Sequence, residues 1–93
     1  MRDRVDTSGA PKFSHSPELL RHRASAFGAR YDLTTRQVEV LLALLDGVDV
    51  KAVGGRIGCG HSSVRTHLRR MAQKLGCSTT REIVIRFFSD DIA

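Results

Sequence analysis

The residues best able to engage another molecule cluster in residues 58–76 of the chain. Read as a helix from His61 to Leu75, this stretch has distinct faces. Val64, Leu68, Met71 and Leu75 recur at i, i+4, i+7 and i+11 and form one apolar stripe. Roughly opposite lie Ser62, Arg65, Thr66, Arg69 and Gln73, with Ser63, His67, Arg70 and Lys74 between the two. Residues 61–77 carry four Arg or Lys and no acid. A helix fixed by one side and bearing long donors on the other suits insertion into a DNA major groove, where base edges present acceptors. A core helix with an ordinary solvated face fits the same spacing equally well.

Other chemistries fit less well. Gly55-Arg56-Ile57-Gly58-Cys59-Gly60-His61-Ser62 has the outline of a phosphate-binding loop, but His61 stands where the essential Lys should be. No buried strand precedes it. Cys59, His61, His67 and Cys77 do not have the compact spacing of a zinc set. Cys77 reads as a buried, inert packing residue. Ser, His and Asp are present, but nothing aligns them as a triad. The sequence therefore predicts no enzyme, no metal site and no cofactor.

The chain has 93 residues, enough for one domain with a small core, and a helical bundle suits that size better than a large sheet. Its net charge is +5. The positive charge gathers in residues 1–30, at +3, and in residues 61–77, at +4. Such a distribution points to a polyanionic partner. Nucleic acid fits better than a membrane, because the basic helix lacks aromatic anchors and no transmembrane span is visible. Two cysteines make no disulfide framework, and residues 1–20 contain no apolar signal core, so a cytoplasmic location is expected.

The elements that would position the basic helix are marked by their caps. Ser16-Pro17-Glu18 opens a first helix over about 17–30, with Leu20, Ala24, Phe27 and Tyr31 on one stripe and Gly28 weakening its last turn. Thr34 and Gln37 form a capping box for a second helix, with Leu33 and Val38 as a hydrophobic staple. Val38, Leu41, Leu42 and Leu45 form its core stripe, and Asp46-Gly47 ends it. Asp49 caps a third helix through Ile57, burying Val53 and Ile57. The Gly54-Gly55 pair inside it is a poor local choice, explicable by close approach of a neighbouring helix. Gly58-Cys59-Gly60 is a turn with Gly60 as N-cap. Thr79 and Glu82 form a second capping box, opening a last helix to about Phe88.

A short helix, a tight glycine-containing turn and a basic amphipathic helix make a helix-turn-helix. At these residues the sequence also resembles the LuxR-type DNA-binding domain of bacterial transcription regulators. The resemblance runs from Leu33 to about Phe88. It is carried by Leu33-Thr34, Arg36, Glu39-Val40-Leu41, Gly47, Lys51, Val53, Gly58, Val64-Arg65-Thr66-His67-Leu68, Lys74-Leu75-Gly76 and Glu82. The resemblance implies a four-helix domain whose third helix enters the major groove. It implies base or phosphate contacts at Arg65, Thr66 and Arg69, and phosphate contacts at Lys51, Ser62, Ser63, Arg70 and Lys74. The last helix of such domains commonly pairs in a dimer. The chain departs from the family pattern at Ala52 (usually Glu), Gly54 (Ala), Gly60 (Ser), Ser63 (Thr), Thr35 (Pro) and Gln37 (Glu). The lost acid at Ala52 and the added Gly54-Gly55 pair predict a less rigid supporting helix without removing a basic residue of the recognition face.

The expected fold is all-α: a four-helix LuxR-type helix-turn-helix domain over 33–89 with an additional N-terminal helix at 16–32. A disordered tail or linker precedes it at 1–15, and a short tail follows at 90–93. The expected function is sequence-specific binding of double-stranded DNA as a bacterial transcription regulator, with Arg65, Thr66 and Arg69 reading bases. The competing reading is a protein-interaction module that contacts RNA polymerase or a partner regulator and binds DNA weakly or not at all; its only support is the glycine in the supporting helix. A homodimer is expected through Ile83, Val84, Ile85, Phe87 and Phe88, because a helix apolar around most of its circumference must be covered on two sides. The alternative cover is the N-terminal helix, folding back through Leu20, Phe27 and Tyr31.

Overall fold

The computed structural model describes residues 17–92, with side chains as far as Asp90. The expected tail at 1–15 and the Ser16 cap lie outside the described residues. Five helices follow in order: α1 (Pro17–Tyr31), α2 (Thr35–Leu45), α3 (Val50–Ile57), α4 (His61–Leu75) and α5 (Thr80–Ile92). The described residues are all-helical, as expected.

The starts follow the cap chemistry. Thr34 and Gln37 complete the expected box: the Thr34 hydroxyl accepts from the Gln37 N–H at 3.1 Å, and Gln37 Oε1 accepts from the Thr34 N–H at 3.0 Å. The Asp49 carboxylate accepts from the Lys51 N–H at 2.9 Å. The second box forms only in part. Thr79 Oγ1 accepts from the Glu82 N–H at 3.1 Å, but Glu82 reaches back to the N–H of Ser78 instead, at 2.7 Å.

The ends share one geometry. In α1, α3 and α4 the second residue past the helix, and in α2 the third, donates its N–H to a carbonyl five residues earlier, as in a Schellman motif. The bonds are Leu33 to Gly28 (2.8 Å), Val48 to Ala43 (3.0 Å), Cys59 to Gly54 (2.9 Å) and Cys77 to Ala72 (2.8 Å). Each needs a left-handed residue at the corner. Asp32 supplies it after α1 at φ 61°, a conformation that a short polar side chain tolerates better than most.

The core sits where all five helices meet. Ala24 and Phe27 of α1, Val40, Leu41 and Ala43 of α2, and Val53 of α3 pack against Val64, Leu68, Met71 and Leu75 of α4 and Ile83 and Phe87 of α5. The full α4 stripe read from the sequence is buried, each large side chain contributing about 1.5–3 kcal/mol. Gly28 is not a weak point. A methyl there would come within 2.5 Å of Val38 Cγ2, so the glycine lets α1 and α2 pack closely.

α5 differs from its sequence reading in two ways. It continues past Phe88 to Ile92, so Asp90 belongs to the helix rather than to a tail. Ile83 and Phe87 are also buried in the domain's own core, at 0% and 2% exposure. These two are therefore withdrawn from the expected dimer face. Ile85 and Phe88 remain exposed, at 51% and 45%, with Val84 half-buried beside them. α1 does fold back on α5: the Phe27 ring meets Phe87 edge-on at 5.3 Å and lies 4.8 Å from Tyr31.

Candidate nucleic-acid interface

α4 is anchored by its apolar stripe, which turns the opposite side outward. Ser62, Ser63, Arg65, Arg69 and Arg70 are exposed, and Thr66 is half-buried. Arg65 and Arg69 lie one turn apart and project from the same side. Their guanidinium groups, like that of Arg70, have no hydrogen-bond or ion-pair partner among the described residues. The donors are thus left to a ligand. The Thr66 hydroxyl is partly committed, donating to the Ser62 carbonyl at 3.1 Å. It keeps its lone pairs and its methyl for an incoming group.

α3 and its turn carry α4. Lys51, at the start of α3, lines a shallow surface groove with His61 and Arg65 of α4, Thr80 of α5 and the acid Asp49, so α3 and α4 each bring a cation to one end of the α4 face. Thr80 was not singled out in the sequence, because only the fold brings the start of α5 beside Lys51. The turn is held by two backbone bonds to one acceptor, the Gly54 carbonyl, from Gly58 at 2.8 Å and Cys59 at 2.9 Å. Gly58 takes φ 81°, which an L side chain rarely adopts. The chain turns so sharply that a methyl on Gly54 would overlap the carbonyl oxygen of Cys59. The close approach is therefore to the turn itself, not to a neighbouring helix, and within this pair it applies to Gly54 alone: among the described residues nothing lies within 4 Å of a methyl on Gly55.

Arg36 braces the same turn from α2. Its Nη1 donates to the Ile57 carbonyl at 2.6 Å and to Glu39 Oε1 at 2.8 Å. A cation at the last carbonyls of α3 also meets the negative end of the helix dipole. The hydrogen bond to Glu39 raises the Arg36 pKa further, opposed by a smaller desolvation. Arg56 pairs with Asp46 at 3.0 Å, tying α3 to the end of α2.

Lys74 does not take the position expected of a phosphate ligand. Its Nζ donates to the Asp32 carbonyl at 2.6 Å and to Gln37 Oε1 at 3.0 Å, so it ties the end of α4 to the α1–α2 corner. The buried Gln37, at 2% exposure, gains a charged donor. His67 is half-buried, and its Nδ1 has no hydrogen-bond partner among the described residues. Cys59 and Cys77 are free thiols, both half-buried. No three or more His, Cys, Asp or Glu among the described residues gather into a metal site, and no described helix is long and apolar enough to cross a membrane.

A trihelical scaffold of α2, α3 and α4 that presents a basic helix beyond a tight turn is the helix-turn-helix class of DNA-binding domain. Residues 32–87 match the family model described as bacterial regulatory proteins, luxR family. The match covers more than half of the chain, and the chain belongs to that family. No curated protein and no solved structure matches it. At the family level the domain is a DNA-binding element of transcription regulation, acting on double-stranded DNA rather than as an enzyme.

Proposed function

We propose that this chain binds double-stranded DNA sequence-specifically as a bacterial transcription regulator in the cytoplasm, with α4 in the major groove. The observation that carries this reading is the pair Arg65 and Arg69: exposed, unpartnered, one turn apart and fixed to a helix whose other side is core. Free guanidinium groups in that setting suit bidentate contact with guanine O6 and N7. Thr66 adds a methyl and an acceptor beside them. Lys51, Ser62, Ser63 and Arg70 flank the face and suit phosphates, which fix register without reading sequence.

Two copies would bind together. Ile85 and Phe88 form an exposed apolar pair with Val84 beside them, on the side of α5 turned away from the core. Pairing these faces about a two-fold axis would send two α4 helices into successive major grooves of a near-palindromic site. The protein-interaction reading rested on a loosened supporting helix. Gly54 is instead packed tightly against the turn, which favours DNA binding over that reading.

The test is selection of bound sites from a random duplex library, followed by titration of the selected duplex. An enriched, near-palindromic site bound by two copies is the expected result. Recovery of no enriched sequence would end the claim of base reading.

A further inference from the structure

α5 should not reach Ile92 on its own sequence. Its last turn carries Asp90 and Asp91 and no base. Acids at a helix C-terminus face the negative end of the dipole and disfavour that turn. The family match also stops at residue 87, before this turn, and starts at 32, after α1. The two extra segments meet each other. Arg30 Nη1 donates to both Oδ1 and Oδ2 of Asp90 at 2.8 Å, and the Tyr31 hydroxyl donates to Oδ1 at 3.0 Å. The Asp90 side chain is only 17% exposed. Behind it, Phe27 packs edge-on against Phe87.

The same stretch of chain holds α4. Asp32, the left-handed corner that ends α1, offers its carbonyl to Lys74. Thus the end of α1 is bonded both to the last turn of α4 and to the last turns of α5.

We propose that α1 is a clamp that positions the pairing face of α5, acting through Asp90. This rests on the reading of Ile85 and Phe88 as that face. Helical periodicity sets the direction of the effect. Ile83, Phe87 and Asp90 share the side of α5 turned toward the domain, whereas Ile85 and Phe88 point away. α1 therefore braces the pairing face from behind and leaves it uncovered. Undocking α1 frays the turn beyond Phe87 and weakens pairing; it does not unmask a hidden surface. Asp90 is a positioning residue, since it touches neither DNA nor the second copy in this arrangement. Any event that pulls on α1 would reach DNA occupancy by this route.

The test uses the full chain with Arg30→Asp, Tyr31→Phe, and the exchanged pair Arg30→Asp with Asp90→Arg. Two properties are read: amide hydrogen exchange at Phe88, Ser89 and Asp90 in the free protein, and the binding of one or two copies to duplexes with one or two half-sites. Arg30→Asp should speed exchange at those amides by about three- to tenfold while the amides of α2 and α4 hold their protection. Affinity for a single half-site should stay within about twofold, and cooperativity between copies should fall by about three- to tenfold. Tyr31→Phe should do the same more weakly, and the exchanged pair should restore both. Unchanged exchange in Arg30→Asp would overturn the proposal, as would faster exchange with pairing intact, or an exchanged pair that restores neither. If Arg30→Asp unfolds outright, Tyr31→Phe and the exchanged pair decide on the same criteria. A parent chain that binds no duplex would sink the DNA reading alone; exchange and sedimentation of the free chain would still judge the clamp.

Discussion

Alanine at position 54 and alanine at position 55 should shift stability in opposite directions. Both positions lie inside α3, where replacing glycine with alanine gains up to about 1 kcal/mol through helix propensity. At Gly55 nothing opposes the gain, since the space around the new methyl is open to 4 Å. Gly55→Ala should therefore stabilise the domain by about 0.5–1 kcal/mol. At Gly54 the methyl overlaps the Cys59 carbonyl oxygen and lies 3.4 Å from carbon atoms of Cys59 and Gly60. These are backbone atoms of a turn already bonded to the Gly54 carbonyl at 2.8 and 2.9 Å, so the strain cannot be relieved by rotating a side chain. Overpacking of this kind costs about 1–3 kcal/mol, and the upper part of that range applies when backbone must move. After the propensity gain, Gly54→Ala should lose about 1–2 kcal/mol. Urea unfolding followed by helical circular dichroism reads both changes. With a slope of about 1 kcal/mol per molar for a domain this small, the two variants should separate by about 2 M in midpoint. Equal stabilisation by both alanines would refute the reasoning and mean that the turn does not cross Gly54 as described, although alanine is the family's usual residue there.

Three further outcomes follow from the described geometry. Arg65→Ala and Arg69→Ala should each cost about 1–3 kcal/mol on the selected duplex and much less on random duplex, measured by titration at fixed salt; equal losses on both would demote them to phosphate contacts. Lys74→Ala should lower unfolding stability by about 0.5–1.5 kcal/mol while leaving the salt dependence of DNA binding unchanged, because its ammonium is bonded to Asp32 and Gln37. A shallower salt slope with unchanged stability would return it to the phosphate contacts. Ile85→Asp should leave the fold intact, since the residue is 51% exposed, but abolish cooperative binding of two copies, as seen by sedimentation on a two-half-site duplex. A folded variant that still pairs would take Ile85 out of the interface.

What could be read from the sequence was what depends on near neighbours in the chain. The Thr34–Gln37 box, the Asp49 cap and the Val64, Leu68, Met71, Leu75 stripe all act within one helix, and each stands where its spacing put it. The α4 face was legible for the same reason. What escaped depends on residues far apart. The role of Gly28 is set by Val38 on another helix, and that of Gly54 by a turn that folds back on it. Lys74 looks like any base on a polar flank until α2 and the Asp32 carbonyl are placed beside it. The length of α5 was underestimated because its last turn is supported by Arg30, 60 residues away. Ile83 and Phe87 could not be told from Ile85 and Phe88 in a run apolar on almost every side; only packing against α1 and α4 assigns two of them to the core.

Salt dependence of duplex binding, measured side by side on the selected site and on scrambled duplex, tests the proposed DNA reading most directly. Neutralising about four phosphates per domain gives a slope of log K against log salt near −4 on both duplexes. Specific base reading by Arg65 and Arg69 adds a gap between the two lines of at least about a thousandfold in affinity that persists across the salt range. Parallel lines with that gap are the result expected of α4 in the major groove. A slope near zero, or two lines that coincide, would contradict it.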